Sequence, residues 1–239
     1  MSQLPRLTSP ATLGDQAYAA IREAIVTGTL KRGEKVTERG LAESLNISAT
    51  PVREALRRLE QDRLVERTGP RTVRIAKFDK DELREFTMIE DVLRALSARL
   101  AAEKSTAAQR REMSNCLEKA YKLRGDLHNG VAGSDEERHI VIEIQQLMRH
   151  FHSLVDQASG NATLVQMLST VDAFGSDERQ SSVLAQVRGE DRKVVDERFK
   201  QHRAIYDAIA SGDGDRAEEL MRAHSHTSNA SRIETRFTG

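Results

Sequence analysis

Apolar residues first recur at helical spacing just after Asp15, where Ala17, Ala20, Ile21, Ala24 and Ile25 fall three and four positions apart. Gly28 and the Lys31-Arg32-Gly33 turn end this stretch. Thr37 is placed to cap a short helix running to Leu45, with Leu41, Ala42 and Leu45 inward and Asn46 as its breaker. Ser48 or Thr50 then caps a third helix whose first turn holds Pro51, where a missing N–H costs nothing. Val52, Ala55, Leu56 and Leu59 form its inner stripe, while Arg53, Arg57 and Arg58 turn away from it. After Leu64 the pattern changes. Val65 to Arg67, a Thr68-Gly69-Pro70-Arg71 turn and Thr72 to Ala76 predict a small β-hairpin. Three helices followed by a hairpin is the order of a winged helix-turn-helix, over residues 14–78. Residues 1–13, with Pro5, Pro10 and no periodicity, predict a flexible arm.

From Asp79 onward the chain shows no further strand pattern. Its periodicity predicts helices over about 80–103, 106–128, 135–158, 161–185, 190–211 and 213–233. The breaks between them are short: Ser105-Thr106, 130–134, Gly160-Asn161, Arg188-Gly189 and Gly212-Asp213-Gly214. Short connections between amphipathic helices predict an antiparallel all-α bundle of six to seven helices across residues 79–235. The expected fold is therefore mostly α, in two parts.

Composition narrows the function. The chain has 239 residues, 31% of them charged, and no apolar run near the ~20 residues of a membrane span. Its first residues lack the charged head and apolar stretch of a signal peptide, so the expectation is a cytoplasmic protein without a membrane partner. The single Cys116 excludes a disulfide framework or a multi-cysteine zinc site. There is no Trp, and Tyr18 is the only aromatic before Phe78, which argues against a base-stacking platform for single strands. The net charge of zero hides an asymmetry. Residues 1–76 hold 13 Lys/Arg against 9 Asp/Glu, and the remainder 24 against 28. A basic first part suits a polyanion, although a solvated mixed-sign surface would show the same count.

The segment from Thr37 to Glu60 gives that polyanion a shape. It encodes two short helices at an angle, the second beginning with a polar, basic turn. A helix N-terminus offers free N–H groups to phosphate, and Arg can grip the O6/N7 pair of guanine. Thr50 can reach a phosphate or a thymine methyl, and Gly69 and Arg71 stand at the hairpin tip. A helix-turn-helix used only for packing is the alternative. The residues Glu38-Arg39, Leu41-Ala42, Ile47-Ser48-Ala49-Thr50-Pro51-Val52-Arg53-Glu54-Ala55-Leu56, Leu59-Glu60 and Leu64-Val65 closely resemble the GntR family of bacterial transcription regulators. The resemblance implies that Arg39 and Arg53 contact operator bases or phosphates, that Thr50 contacts the backbone, and that Gly69 approaches the minor groove. Ser48, Ala49 and Arg71 belong to the same implied DNA-contacting set. Ala49 departs from the family, which usually has Arg there, so a frequent guanine contact is missing.

The remainder resembles the all-helical ligand domain of the FadR-like branch, called FCD. Leu93 to Glu103 is similar to its first helix, Phe151-His152 with Ser159-Gly160-Asn161 to its middle, and His202-Arg203-Ala204-Ile205 through Gly212-Asp213, Ala217 and His224 to its end. Gln201-His202 and Met221-Arg222-Ala223-His224 are similar to the vanillate-regulator subgroup. In many such domains three His and an acidic residue four before the first of them bind a divalent metal. His152, His202 and His224 match the three His, and Met148 stands at the acidic position. A thioether is a poor ligand for such an ion, but three imidazoles leave positions open for water or a carboxylate, and favour zinc or nickel. On the residues alone, three such His are more often surface or core residues than ligands; the resemblance favours the metal. His128, His139 and His226 have no motif support and read as solvated.

The family also lines its effector cavity with an Arg followed four residues later by Glu. Here the charges are exchanged, as Glu90 and Arg94, which an ordinary exposed ion pair would equally explain. With Met148 they form the implied effector-binding set, and a small carboxylate is the implied effector. No dinucleotide-binding, Walker, zincin or serine-hydrolase motif occurs. The expectation is a non-enzymatic, homodimeric repressor, which reads a short pseudo-palindrome in double-stranded DNA and answers to a small metabolite. Two rivals remain: a helical metal-dependent hydrolase, and an architectural DNA-binding dimer without an effector.

Overall fold

A computed structural model describes residues 11–129, 135–174 and 192–237. The chain divides into two compact units, one ending at Phe78 and one beginning at Asp79.

The first unit is built on α1 (Leu13–Val26), β1 (Lys35–Thr37), α2 (Glu38–Leu45), α3 (Ala49–Gln61), β2 (Val65–Gly69) and β3 (Thr72–Ile75). α1 starts two residues earlier than the periodicity predicts, with Thr12 as its cap and Leu13 as its first residue. Thr12 and Asp15 form a capping box: the Asp15 N–H donates to the Thr12 hydroxyl at 3.1 Å, and the Thr12 N–H donates to the Asp15 carboxylate at 3.0 Å. The arm proper, residues 1–10, lies outside the described residues. Thr37 caps α2 by accepting from Gly40 N–H at 3.0 Å, and Asn46 ends it in the left-handed region at φ 53°. Ser48 is the N-cap position of α3, without a side-chain capping bond, and Thr50 lies inside its first turn. Val52, Ala55, Leu56 and Leu59 are fully buried with Ile25, Leu64, Val73 and Ile75. Truncating Leu56 or Leu59 to Ala would cost about 2–5 kcal/mol.

The expected hairpin forms as β2 and β3, and β1 joins it to make a three-stranded antiparallel sheet in the order β1-β3-β2. β1 adds an edge through Lys35 opposite Arg74, Val36 opposite Val73 and Thr37 opposite Thr72. β2 runs on to Gly69, with a register irregularity between Arg67 and Gly69.

The second unit holds α4 (Lys80–Lys104), α5 (Ala107–Asn129), α6 (Asp135–Ala158), α7 (Ala162–Phe174), α8 (Arg192–Ser211) and α9 (Gly214–Phe237), with no strand among its described residues. Asp79 caps α4 in a second capping box with Glu82. The latter part of the helix expected over 161–185 lies outside the described residues. Gly160 and Gly212 adopt φ 60° and 77°, a conformation that lets the chain turn sharply after α6 and α8. α4 buries Ala98, Ala101 and Ala102, small residues that let neighbours close in. α9 packs most extensively against α4, and α5 against α6. The core joins those alanines to Met113, Leu117, Phe151, Val155, Ile205, Ile209, Ala217 and Met221. None of the described helices is long and apolar enough to cross a membrane.

Candidate functional site

The first unit presents an open concavity of about 700 Å³ whose lining includes Arg39 from α2, Ser48, Ala49 and Arg53 from the start of α3, and Arg71 from the wing. Ser48 and Thr50 are exposed and Ala49 half-buried, while Thr50 and Gly69 lie outside the lining. Arg39 is fully solvated and pairs with Glu43 one turn along at 2.7 Å. Exposed pairs of this kind contribute little to stability, so an incoming anion could displace Glu43 at small cost.

Arg53 is held differently. Its Nε donates to Glu38 Oε2 at 3.1 Å, and Glu38, itself buried, also takes Arg67 Nη1 at 3.5 Å. Arg67 Nε reaches Glu60 Oε2 at 3.4 Å. A buried carboxylate thus fixes the Nε edge of a half-exposed guanidinium. In the sequence Glu38 is one motif position among others; its burial reveals the role of holding Arg53.

In the second unit α6, α8 and α9 bring His152, His202 and His224 together. Their ligating nitrogens lie within 4.8 Å of one another, and the Nε2 atoms of His152 and His202 are 3.2 Å apart. Phe151 meets the His202 ring edge-on at 5.5 Å. Two of the outer nitrogens are engaged: His202 Nδ1–H donates to the Arg198 carbonyl at 2.7 Å, and His224 Nδ1–H donates to Gln201 Oε1 at 2.9 Å. These bonds set the tautomer and leave Nε2 of His202 and His224 unprotonated, so that each lone pair can ligate, the one on His202 in exchange for its contact with His152 Nε2. Burial pushes His202 down to about 4, and holds His224 well below the usual histidine value with further repulsion from His202, Arg198 and Arg94. Both rings are therefore neutral at pH 7. Bonds of 2.0–2.1 Å at tetrahedral angles separate two nitrogens by about 3.3 Å, so the donor set fits one borderline divalent ion with modest adjustment.

Met148 stands one turn before His152 and is partly buried against the apolar cluster of Ala120, Ile144 and Phe199. Glu90 and Arg94 form a pair at 3.8 Å, and it is buried rather than exposed. Arg94 also binds Asp156, whose other oxygen accepts from the Ser97 hydroxyl at 2.8 Å. Asp156, one turn after His152, was not singled out by the sequence. Two carboxylates therefore already serve Arg94. Of the histidines read as solvated, His139 is exposed, and His226 is exposed but contacts Asp91 Oδ2 at 3.1 Å. The side chain of His128 lies outside the described residues.

Residues 13–75 match the family model "Bacterial regulatory proteins, gntR family", and residues 86–227 match that of the FCD domain. The chain is 26% identical over 228 residues to the uncharacterized HTH-type transcriptional regulator YdhC of Bacillus subtilis, covering 92% of this chain and 90% of that protein. It is 29% identical over 230 residues to the Glc operon transcriptional activator of Escherichia coli, covering 87% and 84%. The solved structure of E. coli McbR/YncC superposes with a TM-score of 0.73 at 21% identity, covering 94% of this chain and 99% of that one, which shows a shared fold. A helix-turn-helix with its wing, followed by a helical ligand domain, and both family models matching in that order, make this chain a member of the GntR family of transcription regulators, of the branch that carries an FCD domain.

Proposed function

We propose that this regulator reads a pseudo-palindromic operator as a homodimer, and that a small carboxylate, bound with a divalent metal at His152, His202 and His224, controls its operator affinity. The observation that carries the reading is the convergence of three imidazoles, with the inner nitrogens of His202 and His224 turned toward one point. Zinc or nickel suits three borderline nitrogen donors better than magnesium does. Such an ion would supply open coordination positions for an effector oxygen. His152, His202 and His224 would hold it, while the Arg198 carbonyl and Gln201 orient the rings.

On the DNA side, Arg39, Ser48, Ala49, Thr50, Arg53, Gly69 and Arg71 form the contacting set. Arg53 reads a base edge, the exposed Arg39 and Thr50 serve phosphates, and the wing enters the minor groove. Dimerisation is supported by an exposed apolar stripe on α4: Met88, Ile89, Val92 and Leu96, at helical spacing, all lie on the surface. A soluble regulator of chromosomal DNA works in the cytoplasm. Control by repression relieved on effector binding remains our reading; one relative is named an activator, so the sign depends on where the operator lies. Hydrolysis is not favoured: Asp156, the carboxylate one turn along α6 from His152, is engaged by Arg94 and Ser97.

Metal analysis after incubation with zinc tests the reading, together with operator gel shifts across a panel of small carboxylates. About one ion per chain is expected in wild type and much less in His202→Ala. Wild-type protein that stays metal-free in zinc overturns the metal assignment, and operator affinity indifferent to every carboxylate overturns the effector class.

A further inference from the structure

Two cationic side chains stand close enough to the histidine centre for their charge to be felt there. Arg94 disfavours protonation of His224, and Arg198 that of both His202 and His224. Their situations differ. Arg94 is buried and bound by Asp156 and Glu90. Arg198 is half-buried on α8, one turn before His202, so the two side chains leave the same helix face. Its backbone carbonyl holds the His202 ring at 2.7 Å. Yet among the described residues no carboxylate stands within ion-pair distance of its guanidinium, and burial alone presses on its charge. A guanidinium partly withdrawn from water without a counter-charge is costly, and it is a site for an anion to fill.

We propose that Arg198 is the anion receptor of the effector site, so that the effector's carboxylate pairs with Arg198 rather than with Arg94. This rests on the reading of the histidine centre as the effector site and gives it a recognition element. A planar fork of N–H donors suits a carboxylate held bidentately, and the same fork would accept phosphate. Arg94, already neutralised by two carboxylates, positions Asp156 and Ser97 instead. The exchange of Glu90 and Arg94 relative to the family pattern then has a consequence. The cation on α4 is withdrawn into an internal ion cluster, and the duty of meeting the anion passes to α8.

The test uses the full-length protein, wild type, Arg198→Gln and Arg198→Lys, with Arg203→Gln as a control. Arg203 lies on the same helix, is exposed and pairs with Asp207. Zinc affinity is measured by competition with a chelator. Binding of citrate, malonate and inorganic phosphate is measured by calorimetry on zinc-loaded and zinc-free protein. Wild type is expected to bind at least one probe, carboxylates above phosphate. Arg198→Gln should weaken that binding at least about tenfold, and Arg198→Lys should recover part of it. Removing a positive charge beside the centre should leave zinc affinity unchanged or tighten it. A purely structural Arg198 would instead lose zinc, anion and thermal stability together, which would overturn the proposal. So would wild-type probe affinity in Arg198→Gln, phosphate favoured over both carboxylates, an equal loss in Arg203→Gln, or no probe bound by wild type in either form. Failure of the metal reading is separately visible, as wild type that takes up no zinc. Arg198-dependent binding of a carboxylate to such zinc-free protein would still support the receptor.

Discussion

In the first unit the side chains proposed to work stand at the surface, Arg39 at 89% and Arg53 at 45% side-chain exposure, whereas in the second His202 and His224 each keep 4%. The difference follows from the partners each must meet. A duplex is large and charged and cannot enter a protein, so its receptor must be convex or open, cationic and wet. A metal ion and a small metabolite are bound best where water is excluded and donors are fixed. The first unit thus keeps its arginines charged, with an exposed, exchangeable Glu43 beside Arg39 and a buried Glu38 that fixes one edge of Arg53. The second strips His202 and His224 of charge by burial and ties their outer nitrogens to Arg198 and Gln201. Charge is held ready in one unit and suppressed in the other.

The largest test of that contrast is Arg53→Ala. Loss of a bidentate base contact costs about 1–3 kcal/mol per half-site, and the two-fold site doubles it. A gel-shift titration at fixed salt should show specific binding all but gone, with the fold intact. Wild-type affinity would mean that Glu38 holds Arg53 for the protein's own sake. The second unit should be indifferent to this change, and zinc uptake should match wild type.

Acid gives the reverse test. In the folded chain His202 stays neutral down to about pH 4, whereas the unfolded chain takes up that proton near 6.5. Between these values the unfolded state binds more protons, so stability falls as pH drops. At pH 5 the loss from His202 alone is about 2 kcal/mol in metal-free protein. His224 is shifted in the same direction and adds to it. None of the seven His lies within residues 1–78. Segment-resolved hydrogen exchange at pH 7 and pH 5 should therefore show loosening around α6, α8 and α9. Loosening confined to α1 to α3 would break the contrast.

The two units also differed in how much of them could be read from the sequence. The α2–α3 motif was legible because it is local: cap, breaker, stripe and basic turn all fall between Thr37 and Glu60. β1 was not, since three residues carry no period and their partners lie some 35 positions on, at Thr72 to Arg74. The histidine centre was legible only as three separated positions joined by a resemblance. What fixes it, the carbonyl of Arg198 and the amide of Gln201, depends on the face each helix turns inward. Asp156 escaped notice for the same reason. A carboxylate in an amphipathic helix looks solvated until Arg94 and Ser97 are found against it. Glu90 and Arg94 were open to two readings because spacing shows that a pair forms, not whether it is buried.

Ala49 sharpens the DNA side further. It begins α3, lines the concavity and has room for a longer side chain toward the duplex. Ala49→Arg should add a guanine contact and shift base preference at one position of each half-site by about tenfold. Selection from random DNA reads this directly. An unchanged consensus would mean that position 49 faces the phosphate backbone.

The smallest expected effect falls on Gly69, and it separates a glycine needed by the fold from one needed by a partner. Gly69 does not occupy the left-handed region, where only glycine is comfortable. A Cβ built there would meet only Thr72, at 3.8 Å, an ordinary contact. The protein itself therefore has no use for the missing side chain, and Gly69→Ala should leave stability within about 0.5 kcal/mol of wild type. If the wing backbone closes on the minor groove, the added methyl intrudes on sugar and phosphate, and operator affinity should drop several-fold across all sequences alike. A uniform loss is the signature of lost backbone approach rather than lost base reading. Thermal melts and gel shifts on the same preparation decide it. Unchanged affinity would keep the wing off the DNA, leaving α2 and α3 to bind alone, and a large fall in stability would return Gly69 to the fold.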